Sequence, residues 1–341
     1  MSKFRIVTPD LPAGDPDIDE RAGLGALDVA YECVPEADFA AAIRDADAIY
    51  PKSLRLTAAM IATLTRCQVI LGTGVGVDHI DVAAATAQGI PVTNVPHVFI
   101  EEVAEHAMAL MLAAHRQVVT QDRLVRAGKW QDGRPEMLKV PRLLGQTLGF
   151  IGFGRIPRAV AMRARAFGMY LIAFDPYIEE LVMPRYGVAP ATLDEVLSTA
   201  DVVSLHLPGS AGASARLTGH HFARMKPGAI FINTGRGSMV DEPALIRALQ
   251  SGHLSHAGLD VLETEPPGHN NPLLSMQNVT LSAHTASASA RSDAARRGHV
   301  GRELALVAQG RWPTSCVNPS VLETSALRRW QPYSMTRGPN S

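Results

Sequence analysis

Three side chains in this sequence could together hold a small oxo or hydroxy acid and move a proton on it: Arg236, Glu265 and His284. They lie in the segments Asn233-Thr-Gly-Arg-Gly237, Gly258-Leu-Asp-Val-Leu-Glu-Thr-Glu-Pro-Pro267 and Leu281-Ser-Ala-His284. A guanidinium grips a carboxylate through two parallel hydrogen bonds, which an ammonium cannot reproduce. An imidazole exchanges a proton near neutral pH, and a carboxylate beside it favours its charged form and fixes its ring. Gly235 and Gly237 flank the arginine and are read as leaving it open to a close ligand. Glu263, near Glu265, is read as facing elsewhere.

A second segment could hold a redox cofactor. Leu148-Gly-Phe-Ile-Gly-Phe-Gly-Arg-Ile-Pro157 reads as an apolar strand entering a dinucleotide-binding turn. Gly152 and Gly154 stand where such a turn bends and where backbone approaches a pyrophosphate. Arg155 and Ile156 follow with the free amides and partial positive charge of a helix N-terminus. Pro157 takes the place of a third glycine, where its missing N–H is no loss. Asp175 ends the next apolar run. A carboxylate there accepts from the adenosine ribose and repels a 2′-phosphate, which favours NAD over NADP. His206 and Asp260 also end apolar runs. His206 is read as facing the cofactor, with a satisfied core histidine as the competing reading. Asp260 is read as an acceptor for the nicotinamide amide. No metal is called for.

These residues need a scaffold that gathers strand ends. β-rich runs alternate with helical patterns throughout, the signature of a parallel α/β fold. Strands are expected at Phe4–Thr8, Val29–Cys33, Ala48–Tyr50, Gln68–Leu71 and Pro91–Asn94. A second series follows at Thr147–Ile151, Tyr170–Phe174, Val202–His206, Ile230–Asn233, Ala257–Asp260 and Val279–Ser282. Long helices are expected at Glu101–Val118, Arg155–Phe167 and Ser289–Gln309. Two domains result: residues 1–102 with 294–322, and residues 103–293. The segment 323–341 has Pro, Gly and polar residues without periodicity and is expected to be a disordered tail.

Composition narrows the class. With 341 residues, 46% hydrophobic and 19% charged, the chain can bury large cores. A net charge of -1 offers no field for nucleic acid or an anionic membrane. Cys33, Cys67 and Cys316 are far apart and fit neither a disulfide framework nor a zinc knuckle. The N-terminus has no apolar run of signal-peptide length, and no stretch of 18 or more apolar residues exists to span a bilayer, so a cytoplasmic protein is expected.

The motifs resemble those of the D-isomer-specific 2-hydroxyacid dehydrogenases, from residue 4 to about 320. The matching segments are Gly74-Val-Gly-Val-Asp78, Glu101-Glu-Val-Ala-Glu-His106, Gly152-Phe-Gly-Arg-Ile156, Asn233–Gly237, Val240-Asp-Glu242, Leu259-Asp-Val261, Glu265-Pro-Pro267 and His284. The resemblance is to the branch of phosphoglycerate-dehydrogenase-like enzymes and C-terminal-binding proteins. It implies two Rossmann-like parallel-sheet domains, a flavodoxin-like substrate domain and an NAD-binding domain, with the active site in the cleft and a homodimer joined through the cofactor domain. It implies that Arg236 binds substrate, that His284 is the acid/base with Glu265 as partner, and that amides of Val75 and Gly76 hold the substrate carboxylate. Gly152, Gly154, Arg155, Ile156, Asp175, His206, Leu207, Pro208, Thr234, Asp260 and His284 would line the NAD site. The sequence departs from the family at Pro157, at Ala283, where proline is usual, and at Ser287, where the C-terminal-binding branch has tryptophan. No regulatory domain is expected after residue 320. The function expected is NAD-dependent interconversion of a 2-oxo acid and a D-2-hydroxy acid. A nucleotide-sensing scaffold and a formate- or phosphite-type dehydrogenase are the competing readings.

Overall fold

The computed structural model describes residues 3–10, 20–209 and 212–330. Its strands overlap the expected runs, except Ala189–Pro190, a short exposed strand that the sequence reading did not place. Val202–Leu205 and Ala229–Asn233 are buried at every residue. A parallel strand covered by helices on both faces has no polar side to show, so such runs are apolar throughout. Two compact units form. One holds the chain up to Val98 and from Ser289 on; the other is Phe99–Ala288. The changeovers fall earlier than the sequence reading placed them, at 98/99 and 288/289.

The first unit carries β1 (Phe4–Pro9), β2 (Val29–Val34), β3 (Ala48–Ile49), β4 (Val69–Leu71) and β5 (Val92–Thr93). They form one parallel sheet in the order β2-β1-β3-β4-β5, the flavodoxin-like order. The helix Ala290–Ala308 packs here. Its approach depends on glycine, because a Cβ on Gly301 would stand 2.1 Å from the Glu20 carbonyl oxygen. The expected disordered tail is corrected in part. Through Trp330 the chain is anchored: Arg328 bridges to Arg311, Leu327 is buried, and the Trp312 indole donates to the Leu327 carbonyl at 3.0 Å. The rest of that segment lies outside the described residues.

The second unit carries β6 (Thr147–Ile151), β7 (Tyr170–Phe174), β8 (Ala189–Pro190), β9 (Val202–Leu205), β10 (Ala229–Asn233), β11 (Leu254–Leu259) and β12 (Val279–Leu281). The order is β12-β11-β10-β9-β6-β7-β8, all parallel. Strand order reverses between β6 and β9, and ligands of such sheets bind in the crevice outside the strand ends at that point. Gly152 and His206 are the residues that follow those two strands. The helix expected over Glu101–Val118 runs Ile100–His115 and stops because Gln117 takes a left-handed φ of 51°; a separate helix covers Val118–Arg126. Gly258 lets the first of these helices lie close to β11, since a Cβ there would be 2.9 Å from Leu110 Cβ. Among the described residues no helix is long and apolar enough to cross a membrane.

Candidate active site

β11 and β12 run side by side, with Leu259 opposite Leu281, so the residues that follow them meet. His284 N–H donates to the Asp260 carbonyl at 2.8 Å. The Asp260 carboxylate accepts the next two amides, Thr285 at 2.9 Å and Ala286 at 3.0 Å. These bonds hold His284 at a φ of 51°, a left-handed conformation that disfavours a residue with a Cβ. Its Nδ1 lies 2.6 Å from Glu265 Oε2. The other Glu265 oxygen accepts Leu262 N–H at 2.9 Å, so the carboxylate is fixed by its own loop. Glu263 pairs with Arg216 at 2.6 Å instead.

Arg236 follows β10. The Asn233 side chain shapes its turn, accepting from Gly235 N–H at 2.9 Å and donating to the Arg236 carbonyl at 3.1 Å. Arg236 Nη1 donates to the Gly235 carbonyl at 2.8 Å. Gly237 has a use the sequence reading did not find. A Cβ there would stand 1.9 Å from the Leu262 carbonyl oxygen. The glycine lets the Arg236 loop press against the loop that carries Glu265, more than it opens the arginine to a ligand.

At the end of β6, Gly152 has a φ of 88°, and a Cβ on it would lie 2.7 Å from the His206 carbonyl oxygen. A Cβ on Gly154 would meet nothing within 4 Å, so the turn has room in front of it. Gly154 caps the helix Arg155–Ala166 without a side-chain bond, which leaves the amides of Arg155 and Ile156 to a ligand. Pro157 is buried in its first turn, and the helix continues unbroken. Asp175 accepts Phe153 N–H at 2.7 Å and Tyr177 N–H at 2.8 Å, which places the acid against the turn. Each of its oxygens keeps a lone pair for a hydroxyl. Thr234 Oγ1 is buried without a partner among the described residues. Such a hydroxyl costs about 1–3 kcal/mol unless a ligand satisfies it. Leu207 adjoins both loops: a Cβ on Gly235 would be 3.2 Å from its carbonyl oxygen. These features fit a dinucleotide.

Two expected cofactor residues have other engagements. The His206 ring meets Ser204 Oγ at 2.9 Å and packs on Phe150, and burial pushes it down to about 3, so it is neutral. What it presents to the turn is its carbonyl. The Asp260 carboxylate holds the segment after His284, a role not read from the sequence. Pro208 is exposed just beyond β9. Val75 and Gly76 belong to the first unit, where exposed Val75 accepts from the Asn94 side chain at 2.9 Å.

Residues 108–286 match the model of the D-isomer specific 2-hydroxyacid dehydrogenase, NAD binding domain. A glyoxylate reductase of Korarchaeum cryptofilum is 40% identical over 259 residues, 76% of this chain and 78% of that protein. A D-3-phosphoglycerate dehydrogenase of Mycobacterium tuberculosis is 35% identical over 300 residues, 87% of this chain. The match takes in 56% of that relative, so the chain spans little more than half its length. The crystal structure of D-lactate dehydrogenase from Aquifex aeolicus, complexed with NAD and lactic acid, aligns with a TM-score of 0.78 and 27% identity, covering 94% of this chain and 98% of that one. A matched domain model over half the chain, and relatives this similar over most of it, settle the family: this chain belongs to the D-isomer specific 2-hydroxyacid dehydrogenases, and its second unit is their NAD-binding domain.

Proposed function

We propose that this protein is an NAD-dependent oxidoreductase that interconverts a 2-oxo acid and a D-2-hydroxy acid. The observation that carries the reading is the 2.6 Å pairing of His284 Nδ1 with Glu265 Oε2 in a chain of this family. Bound NAD gives or takes the hydride. The protein's own groups do the rest. Nδ1–H donates to Glu265, which leaves Nε2 as the ring atom that hands a proton to, or takes one from, the substrate oxygen. Glu265 stabilises the ring while it carries both protons. Arg236 grips the substrate carboxylate and stabilises negative charge on the carbonyl oxygen as it becomes an alkoxide. Amides of Val75 and Gly76 are assigned to the carboxylate. Arg155, Ile156 and Thr234 are assigned to the dinucleotide, with Asp175 on the ribose selecting against NADP.

The proposal includes a cytoplasmic homodimer. Trp130 and Leu138 are 72% and 75% exposed, and Val118, Val125, Leu144, Met162, Phe167 and Tyr170 are also open on the second unit. The Leu144 side chain lies over Gly168, next in sequence to exposed Phe167. Such a patch marks an interaction surface, here for a second copy.

The test follows NADH oxidation with glyoxylate, pyruvate, hydroxypyruvate, 2-oxoglutarate, and aromatic and branched 2-oxo acids. Turnover with at least one is expected, with NADPH poorer by ~10-fold or more if a carboxylate excludes its phosphate. Protein that binds NADH yet oxidises it with none of them would end the reading.

A further inference from the structure

We infer that His106 is a positioning residue for proton transfer, acting on the His284 loop through Ser282 and Asp260. The inference rests on the reading of His284 as the acid/base. Both Asp260 oxygens accept: Oδ1 takes Thr285 N–H and Oδ2 takes Ala286 N–H. Ser282 Oγ is 2.6 Å from Oδ1, so its hydrogen points to the carboxylate. His106 Nε2 meets the same Ser282 oxygen at 2.7 Å. With the hydroxyl hydrogen committed, that oxygen can only accept, so His106 donates from Nε2. The same nitrogen lies 3.5 Å from Asp260 Oδ1. The order is therefore fixed: His106 N–H to Ser282, Ser282 O–H to Asp260, Asp260 to the two amides that follow His284.

Packing brings this chain together. His106 sits one turn before Leu110 on the helix Ile100–His115. Leu110 reaches β11 closely because residue 258 is glycine. Asp260 is 2% exposed, so its carboxylate depends on these donors to remain in place. The segment it restrains holds His284 in a left-handed conformation, and a looser segment would move the ring off Glu265. Small displacements of a catalytic group cost rate rather than binding.

The test compares His106→Leu, which keeps bulk and loses the donor, with His106→Gln, whose amide N–H takes the place of Nε2–H. His106→Leu is expected to lower kcat ~10-fold or more, with NADH affinity within about twofold, while His106→Gln recovers most of the loss. Ser282→Ala and Ser282→Thr should repeat the pattern, which keeps the test open if one variant fails to fold. Unchanged kcat in His106→Leu, or equal losses in Leu and Gln, would show a packing role and overturn the inference. A readout free of turnover separates this from the parent proposal. In histidine-labelled protein, the His284 ring resonances should shift in His106→Leu and match wild type in His106→Gln. Unmoved resonances in the Leu variant overturn the inference even if wild-type protein reduces no 2-oxo acid, a result that would by itself remove only the proposed function.

Discussion

Replacing Arg236 with lysine keeps the charge and removes the planar fork. The fork is oriented by its bond to the Gly235 carbonyl at 2.8 Å, and Gly235 is held in turn by Asn233. A lysine ammonium can supply a point charge but not the two-pronged grip. Arg236→Lys is therefore expected to lower kcat/KM by ~10²-fold, the scale of losing one preorganised donor to a developing oxyanion. Steady-state kinetics on the best substrate checks it, and a variant within about twofold of wild type would assign the grip to another group.

At the scale of elements, the site is a contact between loops, and glycine makes it possible. Gly237→Ala would drive a Cβ to 1.9 Å from the Leu262 carbonyl, against backbone that cannot swing away. The expected cost is about 1–3 kcal/mol of stability, with lost activity because the Glu265 loop is displaced. Gly268→Ala, whose Cβ meets nothing within 4 Å, is the control and should stay within about 0.5 kcal/mol. Equal melting temperatures for the two variants would contradict the loop contact. The same contrast explains what could be read from the sequence. β6, β9 and β10 were legible because buried parallel strands are continuous apolar runs. Residues just beyond them were legible because such sheets present ligands there. The purpose of Gly237 was not, since a close approach between segments leaves no mark on either alone. Nor was the end of the helix at His115, which depends on a left-handed Gln117 rather than on glycine or proline. The helix Trp130–Met137 was also missed, with Gly133 and Pro135 inside it. Asp260 was noticed as a strand end, but the amides it collects come from another strand's exit.

For the whole molecule, the exposed apolar surface predicts a dimer. Sedimentation should give twice the chain mass, and Trp130→Glu should shift it toward monomer; a monomeric wild type would refute the assignment. Acid stability follows from histidines kept neutral. Burial holds His206 down to about 3, and burial also lowers His115 and His256 below their ordinary value of 6.5. The unfolded chain takes up these protons first as pH falls. The stabilisation is thus present above about 6.5 and is lost progressively toward 3. Melting temperature against pH should fall through that window, and His206→Gln should flatten the fall; an unchanged slope would mean that other groups set it. The dependence of the first unit on the helix Ala290–Ala308 has a further consequence during synthesis on the ribosome. The segment up to Val98 cannot finish its core until this helix emerges, whereas Phe99–Ala288 is contiguous. A nascent chain therefore completes the Phe99–Ala288 unit before the unit whose two segments flank it.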